Sequence, residues 1–241
     1  MVLRVRKGVI LRKLVHILLS VPLLLPVVMP EASKYLPVGA YYAIMTVVTC
    51  LAYAAYVKRE VLSQVFSIYL DNIRQVLNRS LLSVQSISTT TAIVQHMKQA
   101  FAKVENHLKE LIELAERDYE RRYSFIGILM GCVGVLCSYV LFNRFVLYGI
   151  LTLIIYDSVS GLVGAHIGRH RIPGSVVTIE GAAAGAATLF TSLSLLHVNP
   201  IAALAISIAA VVGEAYGIED NFTLPVVTSF IAFTLHGVGL L

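Results

Sequence analysis

The chain has 241 residues, 57% of them hydrophobic and 14% charged, with a mean hydropathy of +0.79; a soluble domain usually runs nearer about 45–50% apolar. The charges gather in residues 58–122 and leave long windows bare, which excludes an ordinary soluble globule and points to an integral membrane protein with one extramembrane segment. The net charge of +5 does not indicate nucleic acid as a partner, because the positive residues flank apolar stretches, where membrane topology accounts for them.

A membrane span needs about 20 apolar residues. Seven stretches qualify in chain order, roughly 9–29, 37–57, 123–142, 145–164, 176–197, 200–216 and 223–240, the last two short. Pro22 and Pro26 lie inside the first. Pro37, Pro200 and Pro225 lie near span starts, where a proline costs little. The first span reads as retained rather than as a cleaved signal, because Met29-Pro30-Glu31-Ala32-Ser33 makes a poor cleavage site and His16 interrupts the apolar run. With the N-terminus inside, residues 1–13, 58–122, 165–175 and 217–222 face the cytoplasm and hold 17 of the 19 Lys and Arg residues. That bias supports both the count and the direction. The expected fold is an all-α polytopic bundle of about seven transmembrane helices. Its parts are residues 1–57, a cytoplasmic helical hairpin over 58–122, and a catalytic region over 123–241.

In the hairpin, Leu62, Phe66, Tyr69, Ile73 and Val76 form one heptad-like seam. Val94, Met97, Phe101, Val104, Leu108, Leu111 and Ala115 form another. A Ser/Thr-rich turn over 78–91 separates them. The two seams can satisfy each other, or they can serve self-association into a homo-oligomer. Cys50, Cys132 and Cys137 sit in apolar windows with no metal spacing and read as packing residues.

Ionisable residues in or beside spans are costly and mark function. Asp157, Glu180, Glu214, Glu219 and Asp220 all map to the inner half or inner end of a span, although the spans alternate in direction, which argues for one shared site. On a helix, Gly161, Gly164 and Gly168 share a face with Asp157. A carboxylate above a strip bare of side chains suits a metal-bound phosphate, and it equally suits close helix packing with Asp157 paired to a cation. Arg169 and Arg171 follow at the cytoplasmic edge, as phosphate contacts or as membrane anchors. Glu180 stands in the first turn of the fifth span, either as a second metal carboxylate or as a dipole partner. Asp220 and Asn221 are oxygen donors suited to Mg²⁺, or N-caps of the last helix. Arg12 and His16 are four apart and share a face at the start of the first span. Walker A, HExxH, CxxC and GxSxG patterns are absent from the sequence.

Together these pieces resemble the CTP-dependent polyprenol kinase family, which includes dolichol and phytol kinases and is distantly related to the CDP-lipid cytidylyltransferases. The family's Arg-Lys-x-x-His start is matched by Arg12, Lys13 and His16. Its Asp-x-x-(Ala/Ser)-x-x-x-Gly stretch is matched by Asp157, Ser160 and Gly164, with Gly168-Arg169 behind. Its Lys-Ser-x-Glu-Gly motif is matched at Glu180 and Gly181, with Thr178 in the Ser place. Glu214, Asp220, Asn221 and Pro225 match its final Glu and Asp-Asn run, and Glu120-Arg121-Arg122 also fits. Val177 stands where the family has lysine, and the 58–122 hairpin is longer than the family pattern.

The resemblance implies transfer of a phosphoryl group from CTP to a long-chain isoprenoid alcohol, with Mg²⁺ as cofactor. It implies Asp157 as metal ligand or hydroxyl-orienting base. Glu180, Glu214 and Asp220 would complete the metal site. Arg12, Lys13 and Arg169, with Gly161, Gly164 and Gly168, would hold the nucleotide phosphates, and His16 would donate to phosphate or relay a proton. Three readings compete, one of them a non-catalytic membrane scaffold working through the hairpin, which leaves Glu214 and His16 unexplained. A cytidylyltransferase lacks here its expected His-Gly-Gly run with spaced aspartates. An ion-coupled carrier predicts midplane charges and paired repeats.

Overall fold

The structure, a computed structural model, describes residues 13–14, 16–29, 31, 34–58, 96, 99 and 126–241. Its contacts divide the chain into two units, Met1–Leu51 with Phe125–Leu241, and Ala52–Ser124. The expected 58–122 hairpin and its self-association, together with Arg12 and the Glu120-Arg121-Arg122 motif, lie outside the described residues, save Lys58, His96 and Gln99.

The described part of the first unit is helical. Helix α1, His16–Val28, carries a 3-10 turn at Val21–Leu24 between its two α-helical ends. Pro26 has no N–H to offer the carbonyl four residues back. That carbonyl, Pro22 O, accepts instead from Leu25 N in the 3-10 turn and from the Tyr41 hydroxyl at 2.8 Å. The Tyr42 hydroxyl donates to Leu23 O at 3.1 Å. Both tyrosines belong to α2, Val38–Val57. A neighbouring helix thus satisfies the acceptors that the kinked one leaves open, the condition under which apolar helices tolerate proline.

Helix α3 runs Ile126–Phe142 and stops where Asn143 takes a left-handed φ of 51°, a conformation asparagine adopts more readily than most residues. After a 3-10 turn at Asn143–Phe145 come α4, Val146–Leu151, a π-helical turn at Thr152–Tyr156, and α5, Asp157–Ile167. Helix α6, Ile179–Leu195, is capped by Thr178, and α7, Pro200–Tyr216, by Asn199. Helix α8, Asp220–Gly237, keeps Pro225 inside its second turn rather than at the helix start that the sequence suggests. It packs most extensively on α3, then on α7 and α4, while α5 packs on α6. Gly134 and Gly149 make that close approach of α8 possible. A Cβ on Gly149 would sit 2.6 Å from Pro225 O, and one on Gly134 would sit 2.9 Å from Phe222 O. Leu153, Ile150, Leu189, Leu193, Ile206 and Leu224 fill the core between the helices, fully buried.

Helices occupy all seven expected segments. Among the described residues two stretches could cross a membrane by length and composition, Val38–Val57 and Ile126–Ile167, the latter turning at Asn143. His16–Val28, Ile179–Leu195 and Pro200–Tyr216 are shorter apolar helices. A 17-residue helix such as α6 rises about 26 Å, short of a hydrocarbon core of about 30 Å. The expected 176–197 span shortens because Val176 and Val177 belong to a turn and the Thr178 cap starts the helix only after them. Helix length alone therefore does not establish seven crossings.

Candidate functional site

The π-helical turn ends at Tyr156 and delivers Asp157 as the first residue of α5, almost wholly buried. Such turns insert one extra residue into a helix and recur at functional sites. Lys13 Nζ donates to Asp157 Oδ1 at 2.6 Å, and both side chains are about as buried as the surrounding core. His16 Nε2 lies 3.4 Å from Asp157 Oδ2, so one carboxylate faces both described polar residues of the Arg-Lys-x-x-His motif, with Lys13 144 positions away in sequence. A buried carboxylate and a buried ammonium each carry a desolvation penalty of several kcal/mol, and each makes the other tolerable. Gly161, one turn after Asp157, lets the lysine in. A Cβ there would overlap Lys13 Cε.

The next turn of α5 holds a second acid. Glu214, in the last turn of α7, accepts a hydrogen bond from the Tyr156 hydroxyl at 2.6 Å and from Ser160 Oγ at 2.8 Å. Tyr156 is fully buried, and a buried phenol needs an acceptor. Glu214 lies within electrostatic reach of Asp157 and Lys13, so the two clusters share one field. Gly185 of α6 would put a Cβ 3.0 Å from both the Tyr156 ring and Ser160 Cβ. Its bareness lets α6 close over this pair.

Beyond α5 the chain makes a tight turn, closed by a single bridge, before α6. Arg171 and Thr178 form an antiparallel bridge, flanked by Ile179 N to His170 O at 2.8 Å and Ile172 N to Val177 O at 2.9 Å. Gly174 takes the left-handed corner, φ 76°, which glycine adopts without steric cost. Glu180 folds back on this turn. Its carboxylate accepts from Arg169 N at 3.1 Å and from His170 N at 3.2 Å, and His170 Nδ1 lies 2.7 Å from Oε1.

The geometry bears on two expectations. Side chains lie against the glycine strip beside Asp157. Lys13 covers Gly161, while Thr178 Oγ1 sits 2.7 Å from where a Gly164 Cβ would be and 2.6 Å from that of Gly168. The packing alternative is the one this fold adopts. The four acids expected to hold Mg²⁺ are not gathered. Asp157 faces Lys13 and His16, Glu214 the two hydroxyls, and Glu180 the backbone of the turn. Asp220 opens α8 and accepts from Asn221 N at 2.9 Å. Among the described residues no group of three or more His, Cys, Asp and Glu side chains forms a metal site. The described residues do not form a preassembled magnesium centre.

Of the other expected contacts, Arg169 is exposed in the turn and Arg12 is outside the described residues. Tyr156 and His170 enter the site without having been singled out, and Ser160 and Thr178, motif matches given no role of their own, enter it with them. Tyr156 and Ser160 are four apart and flank Asp157 on the helix, a spacing that places two hydroxyls on one face. His170 stands in the cationic run Arg169-His170-Arg171.

Set against protein-family models, curated proteins and solved structures, the chain has no match. Its chemistry therefore rests on the site itself. One helix, α5, with the turn behind it, receives a lysine–histidine pair from α1 and its start, a carboxylate from α7 and a carboxylate from α6. Lysine binds carboxylate and phosphate alike, as a point charge.

Proposed function

We propose that this chain is a membrane-embedded kinase of long-chain isoprenoid alcohols that takes its phosphoryl group from CTP, threading the bilayer seven times with its N-terminus and site on the cytoplasmic side. One observation carries the reading: the separate sequence motifs converge on α5 and its following turn, with Lys13 and His16 on Asp157, Glu214 on Tyr156 and Ser160, and Glu180 on the Arg169–His170 backbone. Residues that served only as membrane anchors would have no reason to meet.

Phosphoryl transfer asks a protein mainly for positioning and charge neutralisation. In the proposed cycle the γ-phosphate of CTP competes with Asp157 for the Lys13 ammonium. As Lys13 turns to the phosphate, Asp157 is freed to accept the proton of the lipid hydroxyl. The alcohol oxygen then bonds to the γ-phosphorus, the bond from the γ-phosphorus to the bridging oxygen breaks, and CDP leaves. His16, beside the same carboxylate, holds or returns that proton. Glu214 keeps Tyr156 and Ser160 fixed so that Asp157 faces one direction. Magnesium enters only as the counter-ion of the nucleotide substrate. The exposed apolar side chains of α2, Ile44, Val47, Val48 and Leu51, suit a hydrocarbon surrounding, in which the lipid's tail stays while its hydroxyl reaches the interface.

The test is transfer of label from γ-labelled CTP to a panel of lipid alcohols by the detergent-purified full chain, with Asp157→Asn as control. Label in a polyprenyl alcohol, absent in the variant, is the expected result. No label with any alcohol from folded protein would sink the reading. Pyrophosphate released from CTP in the presence of a lipid phosphate would replace it with cytidylyl transfer.

A further inference from the structure

The buried hydroxyls of Ser138, Thr152, Ser207 and Thr228 each donate to the carbonyl four residues back, at 2.7 to 2.8 Å. That acceptor is at hand for a serine or threonine in any α-helix, and a buried hydroxyl left unpaired is costly. Among the described residues two buried hydroxyls find no partner, those of Ser158 and Ser229. Ser229 is accounted for by its size. It stands where α8 meets α4, and a Cβ on Gly149 would come within 2.7 Å of its Oγ. Ser158 stands directly after Asp157 on α5 and is 3% exposed. The carbonyl four residues before it, Ile154 O, belongs to the π-helical turn Thr152–Tyr156. Bonding in such a turn reaches five residues and takes its carbonyls out of α-helical register. The turn that delivers Asp157 therefore also delivers a hydroxyl without its usual acceptor.

Three hydroxyls lie within three residues of Asp157. Those of Tyr156 and Ser160 are spent on Glu214, and that of Ser158 is not spent. We infer that Ser158 Oγ receives the hydroxyl of the alcohol, an inference that rests on the kinase reading and names how its lipid substrate is recognised. The two oxygens of Asp157 face Lys13 and His16, so the alcohol oxygen needs a neutral partner of its own before transfer. A serine hydroxyl can donate to that oxygen and leave the alcohol's proton for Asp157. Gly161, three residues on from Ser158, is its neighbour on the helix surface, and the Lys13 stem fills the space over that glycine. When Lys13 turns to the phosphate, its stem leaves this space and the alcohol reaches Ser158. Arrival of the nucleotide and admission of the alcohol are coupled through one side chain. A site of this kind takes a neutral hydroxyl at the end of an apolar chain and rejects the parent hydrocarbon, which leaves the serine unpaired.

The experiment uses the full chain in nanodiscs, with labelled geranylgeraniol as the alcohol and its parent hydrocarbon as competitor. It measures KM and kcat for transfer from CTP, the thermal unfolding midpoint, and equilibrium binding of the alcohol with the non-transferable β,γ-methylene analogue of CTP present. Ser158→Ala should raise KM for the alcohol by about three- to tenfold, the range for losing one neutral hydrogen bond, with KM for CTP within about twofold. It should also erase the preference for alcohol over hydrocarbon. Because the fold leaves this hydroxyl unpaired, the midpoint should hold or rise by up to about 2–4 °C. Ser229→Ala removes the other unpaired hydroxyl and should leave both KM values alone. An alcohol KM that does not move in Ser158→Ala would overturn the inference and leave the kinase reading standing. So would a midpoint lowered by several degrees, which gives the hydroxyl a structural partner, or an equal rise in both KM values. The same rise in Ser229→Ala would overturn it too, since any lost hydroxyl would then suffice. Wild-type protein that prefers the alcohol, loses that preference in Ser158→Ala and transfers no phosphate would support the inference and end the kinase reading. Wild-type protein that binds alcohol and hydrocarbon alike would end the inference whatever it transfers.

Discussion

Two regions of this molecule use glycine in the same way in sequence and to opposite ends in space. Where α8 crosses α3 and α4, Gly134 and Gly149 admit backbone: Phe222 O, Pro225 Cα and Pro225 O fill the space that a Cβ would take. On α5, Gly161 and Gly164 admit side chains, the Lys13 stem and the Thr178 hydroxyl. The first contact is rigid, because most of what it meets is backbone. The second is polar and can in principle be remade, since the lysine has other rotamers and other partners to choose from. A small residue in an apolar helix thus reports a close approach without reporting what approaches.

The largest expected effects come from the charged side of this comparison. Asp157→Ala leaves Lys13 buried without its described partner and should lower unfolding stability by roughly 3–5 kcal/mol while abolishing transfer. The double variant Lys13→Met with Asp157→Leu removes both charges and should regain most of that stability, with transfer still absent. Thermal unfolding and activity, measured side by side, separate the two roles. If the double variant were as unstable as the single one, the pair would not be the electrostatic unit described here.

Glycine variants come next. Gly149→Ala presses a methyl group onto backbone that cannot yield, and should cost about 1–3 kcal/mol. Gly161→Ala meets the far part of a flexible lysine, which bends aside with Asp157 still in reach, so its stability cost should be under half as large, yet the displaced ammonium should cut transfer by about tenfold or more. A denaturation midpoint and a kcat for each variant are enough. Equal stability losses with equal activity would erase the distinction between the two regions. The smallest effect expected is that of Tyr156→Phe, which takes one of two hydroxyl donors from Glu214 and should cost about 1 kcal/mol. A larger loss, with transfer abolished, would place the phenol at the reaction itself.

Much of this was legible in the chain. Helix positions followed from the apolar runs and their breaks: Asn143, Asn199-Pro200 and the 168–178 turn separate the helices where the sequence places boundaries. Asp157, Lys13, His16, Glu180 and Glu214 stood out because charge in an apolar setting is expensive, and all five lie on or against α5 and its turn. Partners were not legible. Nothing local to Gly161 says that a lysine 148 positions earlier lies across it, and nothing local to Glu180 distinguishes a metal ligand from a carboxylate that organises a turn. Composition and periodicity determine which residues must leave water and which helices must form, because those are costs each residue meets alone. Whether a bare strip is a ligand path or a packing seam, and whether four acids share one ion or hold four separate sets of partners, depends on which helix arrives alongside, and only the tertiary structure decides that.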